Sequence, residues 1–422
     1  MWRGATGCLS VIHFYSPGNE ISCMSFKKLI GTLHLWLGLA SGLVVLVIGI
    51  TGCMYAFIDE IQPLVYHQRM YVQPSAHAQA LPLDVLKAKA QQALGPQYPV
   101  QQAEVYRSRD RSVFFRSRKI NKKALLYTHY TEYYYRVYLN PYTAEVLKVE
   151  NTKWEFFNLV LTLHRTLLLG HDLGGRIIGW SVVAFVLLLI SGIILWWPKN
   201  KAAAKQRFWF KWKDTTRWKR KNYDLHNIPG FYAMLLALMI SLTGLVWAFD
   251  WFSDSVQWVA NGGRKLPKSK SASSDTTLNT LAPTDLMLQI AMAQAKNYNT
   301  FFFSFPREPK EAVSITARNE ERPRFRNVRY QFDQGSGQLL GALPFADMNN
   351  GEKIKAMNYD IHTGSVLGLP GKILAFFASL IAASLPVTGF LIWRNRNKKK
   401  QPAKKMTGSR SAMKRIAVLE EA

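Results

Sequence analysis

Four apolar segments decide what this chain can become. Residues 29–58, 177–197, 228–250 and 372–393 are each long enough to cross a hydrocarbon core about 30 Å thick. Their only charged residues, Asp250 and Lys372, sit at segment ends. With 422 residues the chain could hold two or three soluble domains, but its apolar residues are concentrated in these blocks. The expected fold class is therefore a membrane protein, mainly α, built on a bundle of four transmembrane helices.

The net charge of +27 is unevenly placed. Residues 199–221 hold ten Lys or Arg against one Asp, and residues 394–415 hold ten more and no acid. Lys27 and Lys28 precede the first span. All three regions fall on one side of a four-helix topology, which the positive-inside rule makes the cytoplasm, with both termini there. Because these runs abut membrane helices, they read as topological signals facing the lipid bilayer and not as a nucleic-acid surface. Cys8, Cys23 and Cys53 show no metal or disulfide spacing. Residues 1–23 look unlike the rest, and Met24 would be a natural start.

The halves of the chain repeat each other. HLWLGLASGLVVLVIGITG runs from His34 to Gly52, and HNIPGFYAMLLALMISLTG from His226 to Gly244, with the same spacing. The two soluble segments also match. Each opens with Pro-x-Asp before a helical pattern, PLDVLKAKAQQAL from Pro82 and PTDLMLQIAMAQA from Pro283. Asp near a helix start fits capping or the macrodipole. Strand-like runs follow: SVFFRS and ALLYTHYTEYYYRVYLN in the first segment, TFFFSF and RYQF in the second. Each segment then has a hairpin signature, VYLNPYTAEVL and YQFDQGSGQLL. The expected division is a leader (1–26), first span (27–59), first outer module (60–155), second span with its preceding segment (156–198) and a basic loop (199–223). The second half follows as third span (224–252), second outer module (253–357), fourth span with its preceding segment (358–394) and a basic tail (395–422). Within it, 262–282 reads as a flexible link and 401–422 as a disordered tail with a short amphipathic end.

Four histidines occupy matched places in the repeat: His34 and His226 near the start of outward-running spans, His164 and His362 before inward-running ones. On a helix, His34, Gly38, Gly42, Val45, Gly49 and Gly52 share a face, as do His226, Gly230, Met234, Ala237, Ser241 and Gly244. Small residues beside a histidine leave room for a flat macrocycle, although small faces also serve ordinary helix packing. Paired neutral imidazoles at membrane depth suit haem iron. His34 lies about 25 Å of helix from Gly52, too far to share an iron with His164. Depth therefore pairs His34 with His226 at an inner level and His164 with His362 at an outer one, giving two bis-histidine haems. His171 rivals His164 for the outer site. His67, His77 and His129 read as surface residues of the first module. Trp196, Trp197 and Trp393 read as interfacial anchors. Arg107, Arg109, Arg111, Arg116 and Arg118, with Arg318, Arg322, Arg324, Arg326 and Arg329, read as a solvated or headgroup-facing surface, with an anion site as the sharper alternative.

HLWLGL with ITG, LHRTLLLG, SGIILWWP, LHNIPGF with LTG, and IHTG with VTGFLIW together resemble the PepSY-associated transmembrane family over residues 26–397. The hairpins resemble PepSY modules, with Ala144 where that family usually has Gly. The resemblance implies two α+β PepSY-like extracytoplasmic modules and an inner-membrane di-haem ferric-siderophore reductase. It implies His34, His164, His226 and His362 as b-type haem ligands, a ferric siderophore or other ferric chelate as partner, and a cytoplasmic or quinol electron donor. A membrane-anchored regulator that binds peptidases is the alternative. A permease is a third, weakened because the four helices carry few intramembrane polar groups.

Overall fold

The computed structural model describes residues 25–198, 200–267, 269, 272–275 and 281–397. The leader with Met24, the tail 401–422 and part of the 262–282 link lie outside these residues. The first half runs α1 (Phe26–Ala56), α2 (Ile58–Val65), α3 (His67–Met70), α4 (Leu83–Leu94), β1 (Gln102–Tyr106), β2 (Val113–Ile120), α5 (Tyr127–Tyr130), β3 (Thr131–Leu139), β4 (Val146–Asn151), α6 (Phe156–Thr166) and α7 (His171–Trp196). A short helix, α8 (Lys201–Arg207), precedes the second half. That half runs α9 (Trp218–Ala248), α10 (Asp250–Ala260), α11 (Thr284–Gln294), β5 (Thr300–Ser304), β6 (Val313–Arg318), β7 (Asn327–Phe332), β8 (Leu339–Pro344), α12 (Asn350–Thr363) and α13 (Gly368–Asn397).

Helices α1, α7, α9 and α13 have the length and hydropathy of membrane spans. α1 packs against α7 and α13, and α9 packs against the same two. This leaves α1 diagonal to α9, and α7 diagonal to α13. Small residues permit the close approach. A Cβ on Gly49 would lie 2.9 Å from the Ala383 Cβ, and one on Gly42 would lie 3.2 Å from Pro386. Packing against α13 is thus one role of those two glycines. Large apolar side chains such as Leu43 and Leu235 point outward, 74% and 69% exposed, as lipid-facing residues would be. Cys53 is a buried free thiol. Trp196 departs from its expected anchoring role: it is buried, stacked on Phe231 at 4.4 Å between ring centroids. Trp197 is 58% exposed and free to anchor.

The two modules join into one eight-stranded antiparallel sheet, in the order β4-β3-β2-β1-β5-β6-β7-β8. Its centre is the seam between halves, where β1 pairs with β5 from Gln102↔Ser304 to Tyr106↔Thr300. One sheet face packs on α4 and α11 through residues such as Phe115, Val137, Phe301 and Phe303. The repeated Asp residues cap across the seam, not on their own helices. Asp285 accepts from the Leu83 N–H at 2.8 Å, while Asp84 accepts from the Thr284 N–H at 2.9 Å and its hydroxyl at 2.8 Å. Each module therefore closes the helix start of the other.

Strands β1 and β6 had no counterpart in the sequence reading. The expected run 124–140 is a strand only from Thr131, because Tyr127–Tyr130 form a helical turn. The two hairpins superpose in their bonding: Ala144 N–H donates to the Asn140 carbonyl at 3.0 Å and Gly337 N–H to that of Asp333 at 2.9 Å. Both positions are left-handed, with φ of 58° and 72°.

Candidate metal centre

Each of the four histidines is held by the helix beside it in the same way. The His34 Nδ1 lies 2.8 Å from Ser191 Oγ, and the His226 Nδ1 lies 2.9 Å from Thr388 Oγ1. The His164 Nδ1 lies 3.1 Å from Thr51 Oγ1, and the His362 Nδ1 lies 2.9 Å from Thr243 Oγ1. Each hydroxyl donates to a carbonyl one turn back in its own helix: Ser191 to Leu187, Thr388 to Ser384, Thr51 to Val47 and Thr243 to Met239. The oxygen is then left to accept the imidazole N–H. His164 and His362 also donate Nδ1–H to the Ile48 and Ile240 carbonyls, both at 3.0 Å. A proton fixed on Nδ1 leaves Nε2 as a lone pair, which is the form a metal requires.

The residue after each hydroxyl is glycine, and the ring rests on it. A Cβ on Gly52 would be 3.3 Å from the His164 Cε1, and one on Gly244 would be 3.6 Å from that of His362. Gly192 and Gly389 stand in the same relation to His34 and His226, at 3.6 and 3.3 Å. The Ser/Thr-Gly pairs were visible in the sequence as landmarks of the repeat. Their role was not visible, because each serves a histidine on another segment.

These contacts sort the histidines into two levels. His164 docks at Thr51 and His34 lies seventeen positions earlier on α1, about 25 Å along the helix. At the sheet end His164 and His362 face each other with ring centroids 6.1 Å apart and planes at 71°. Two imidazoles on one metal, with bonds of about 2 Å to each Nε2, place their centroids roughly 6 Å apart. The observed centroid spacing is the one that two rings on a shared metal would need. At the far end His34 and His226 project from diagonal helices and are bonded to α7 and α13. No ring contact joins them among the described residues. His171 opens α7 beside the sheet-end pair, but it is half exposed and 3.7 Å from Asp172. His164, not His171, is the ring that meets His362.

A cavity of about 700 Å³ surrounds the sheet-end pair. Its walls are largely small or apolar, including Gly49, Gly52, Ala237, Gly244, Ala378 and Ala382, and its charged groups, Arg165, Asp172, Arg176 and Asp250, gather near the sheet end. That is the profile of a site for a large, flat, mostly apolar group. Trp247 packs against His362 at 5.1 Å, with planes at 71°. Among the described residues no three His, Cys, Asp or Glu gather into a metal cluster.

The arginines of the modules divide: Arg107, Arg109, Arg118, Arg322, Arg326 and Arg329 are exposed, as expected, while others are taken up in ion pairs. Arg111 is 9% exposed and donates to Glu320 at 2.9 Å. Arg318 reaches Glu104 at 3.4 Å, and Arg324 reaches Asp59 at 2.7 Å. Arg107 caps the end of α11 through the Met292 and Ala295 carbonyls, at 2.9 and 3.1 Å. His67, His77 and His129 are exposed, as expected.

Fold and site together define a multi-pass membrane protein: a duplicated four-helix bundle with four matched histidines, two of them in ring contact, beside a shared sheet. The chain belongs to the family described as the PepSY-associated TM region, whose model matches residues 32–396. No curated protein matches the sequence.

Proposed function

We propose that the protein is a bacterial inner-membrane electron-transfer protein that reduces ferric chelates, such as ferric siderophores, on the sheet side. Its two modules are then PepSY-like and extracytoplasmic, and the basic loop and both termini cytoplasmic. His164 with His362, and His34 with His226, would each hold one b-type haem. Bound haem supplies one-electron chemistry between ferric and ferrous iron. The chain's part is to hold four imidazoles in one tautomer, orient them through Ser191, Thr51, Thr388 and Thr243, and keep water out with apolar helices. A chelate that gains an electron at the sheet side loses its hold on iron, because hard oxygen ligands bind Fe(II) less well than Fe(III).

The observation that carries this reading is the fourfold repetition of the histidine, hydroxyl and glycine contact. Helix packing alone has no need for an Nδ1–H imidazole at four matched places. A membrane-anchored regulator would not need it either. The absorption spectrum of the purified protein tests the reading. A Soret band with α and β bands that sharpen on dithionite reduction is expected, and a colourless preparation from haem-replete cells sinks it. His34→Ala and His164→Ala should each remove about half of the haem. Loss of none in either variant breaks the pairing.

A further inference from the structure

The sheet has two unlike faces. The one turned from α4 and α11 carries a polar row set by strand register. Arg136 stands opposite Arg116, Arg116 opposite Gln102, Gln102 opposite Ser304, and Ser304 opposite Ser314. The row crosses the seam, so it exists only because the modules share a sheet. Like charges directly opposite each other on a sheet repel. Part of the repulsion is offset by Glu150, which stands opposite Arg136 on β4, but none of it at Arg116. Arg116 donates to Gln102 Oε1 at 2.9 Å, and among the described residues no carboxylate reaches it. Arg136 donates to the Tyr134 hydroxyl at 3.1 Å and shares Glu150, 4.0 Å away, with Arg69. The Nε of both Arg116 and Arg136 is buried without a partner. A buried donor left unpaired is costly and calls for explanation.

The surroundings point to an anion. Arg118 is exposed one step along β2, its guanidinium 5.3 Å from the Tyr134 ring. The rings of Phe114 and Tyr134 flank Arg116, each 5.9 Å away. An oxyanion between Arg116 and Arg136 would take up both free donors and cancel the repulsion, in the geometry guanidinium groups offer to carboxylates. Aromatic flanks suit an organic ligand better than a bare ion. The face is turned toward the bundle: α3, which follows α1 and α2, lies on it, with Arg69 stacked 3.4 Å from Tyr66 and 5.3 Å from Tyr138.

We propose that the Arg116–Arg136 pair binds the carboxylate arms of an anionic metal chelate, selecting anionic over cationic complexes. What becomes of that ligand rests on the reductase reading; the binding does not. The test uses the full chain in phosphatidylcholine nanodiscs, titrated by calorimetry with gallium citrate, metal-free citrate and a cationic gallium trihydroxamate. Gallium resists reduction, so binding is read apart from electron transfer. Gallium citrate should bind about tenfold or more tightly than the cationic complex and than free citrate, and more weakly as salt rises. Arg116→Gln and Arg136→Gln should each weaken it about tenfold or more. Arg116→Lys keeps the charge and should fall between, which covers a Gln variant that fails to fold. Equal binding of the two gallium complexes overturns the proposal, as does unchanged binding in both Gln variants. So does free citrate binding as tightly as its chelate, or a face that responds only to phosphatidylglycerol added to the disc. A colourless protein that binds gallium citrate defeats the reductase and leaves this site standing. A haem-loaded protein that ignores the chelate does the reverse.

Discussion

Thr51 and Thr243 each do two things with one hydroxyl: they donate along their own helix and accept from a histidine on another. Thr51→Val keeps the shape and removes the acceptor. If the imidazoles are ligands, it should weaken haem retention at the sheet-end site about tenfold to a hundredfold, read by haem-to-protein ratio on dilution, and leave the far-end site loaded. Loss from both sites would mean the variant had loosened the bundle instead. Ala144 makes a different kind of prediction. It sits at φ 58°, where Gly337 sits in the other hairpin at φ 72°. A left-handed residue with a Cβ costs about 1–2 kcal/mol. Ala144→Gly should therefore stabilise the first module by about 1 kcal/mol, net of the freedom glycine adds to the unfolded chain. A lower midpoint in denaturant would refute that.

At the level of elements, the four spans and the two matched helices are legible because each carries its own pattern, an uninterrupted apolar run or a Pro-x-Asp start. The depth of His34 and His164 is legible for the same reason, since counting residues along a helix measures it. Three other features are not. Strand β1 is five residues long and its partner β5 lies nearly two hundred residues away. The Arg116–Arg136 opposition depends on register. The caps of α4 and α11 come from each other's aspartates. Local patterns do not record which element a side chain will meet. The exchanged caps give a direct check. Asp84→Ala should cost about 1 kcal/mol and speed hydrogen exchange at Thr284, in the other module, while sparing Leu83. Faster exchange confined to the start of α4 would contradict the exchange of caps.

For the whole molecule, the bundle and sheet are tied through Asp59, which meets Arg324 at 2.7 Å and Lys372 at 3.3 Å, with Glu60 also on Lys372 at 2.9 Å. Burial alone would push the Asp59 carboxyl up, but Arg324 and Lys372 outweigh it and hold it below its ordinary 3.8. A depressed acid stabilises the fold in its charged form. That contribution is whole above pH 3.8 and is lost as pH falls below it toward the folded-state value. Asp59→Asn should flatten the acid limb of a thermal-stability profile and leave the neutral range lower but level. An unchanged acid limb would show that Asp59 bears none of this dependence. The seam between β1 and β5 carries a consequence of its own. A chain of one repeat would expose a bare strand edge, lack the cap of its module helix and own only one of the two rings that meet at the sheet end. All three deficits are met by the same twofold operation on a second copy, as in an isologous dimer. The present chain has the architecture of such a dimer made permanent by fusion. Once fused, its halves are free to diverge, so that Arg116 and Arg136 could arise on one side alone.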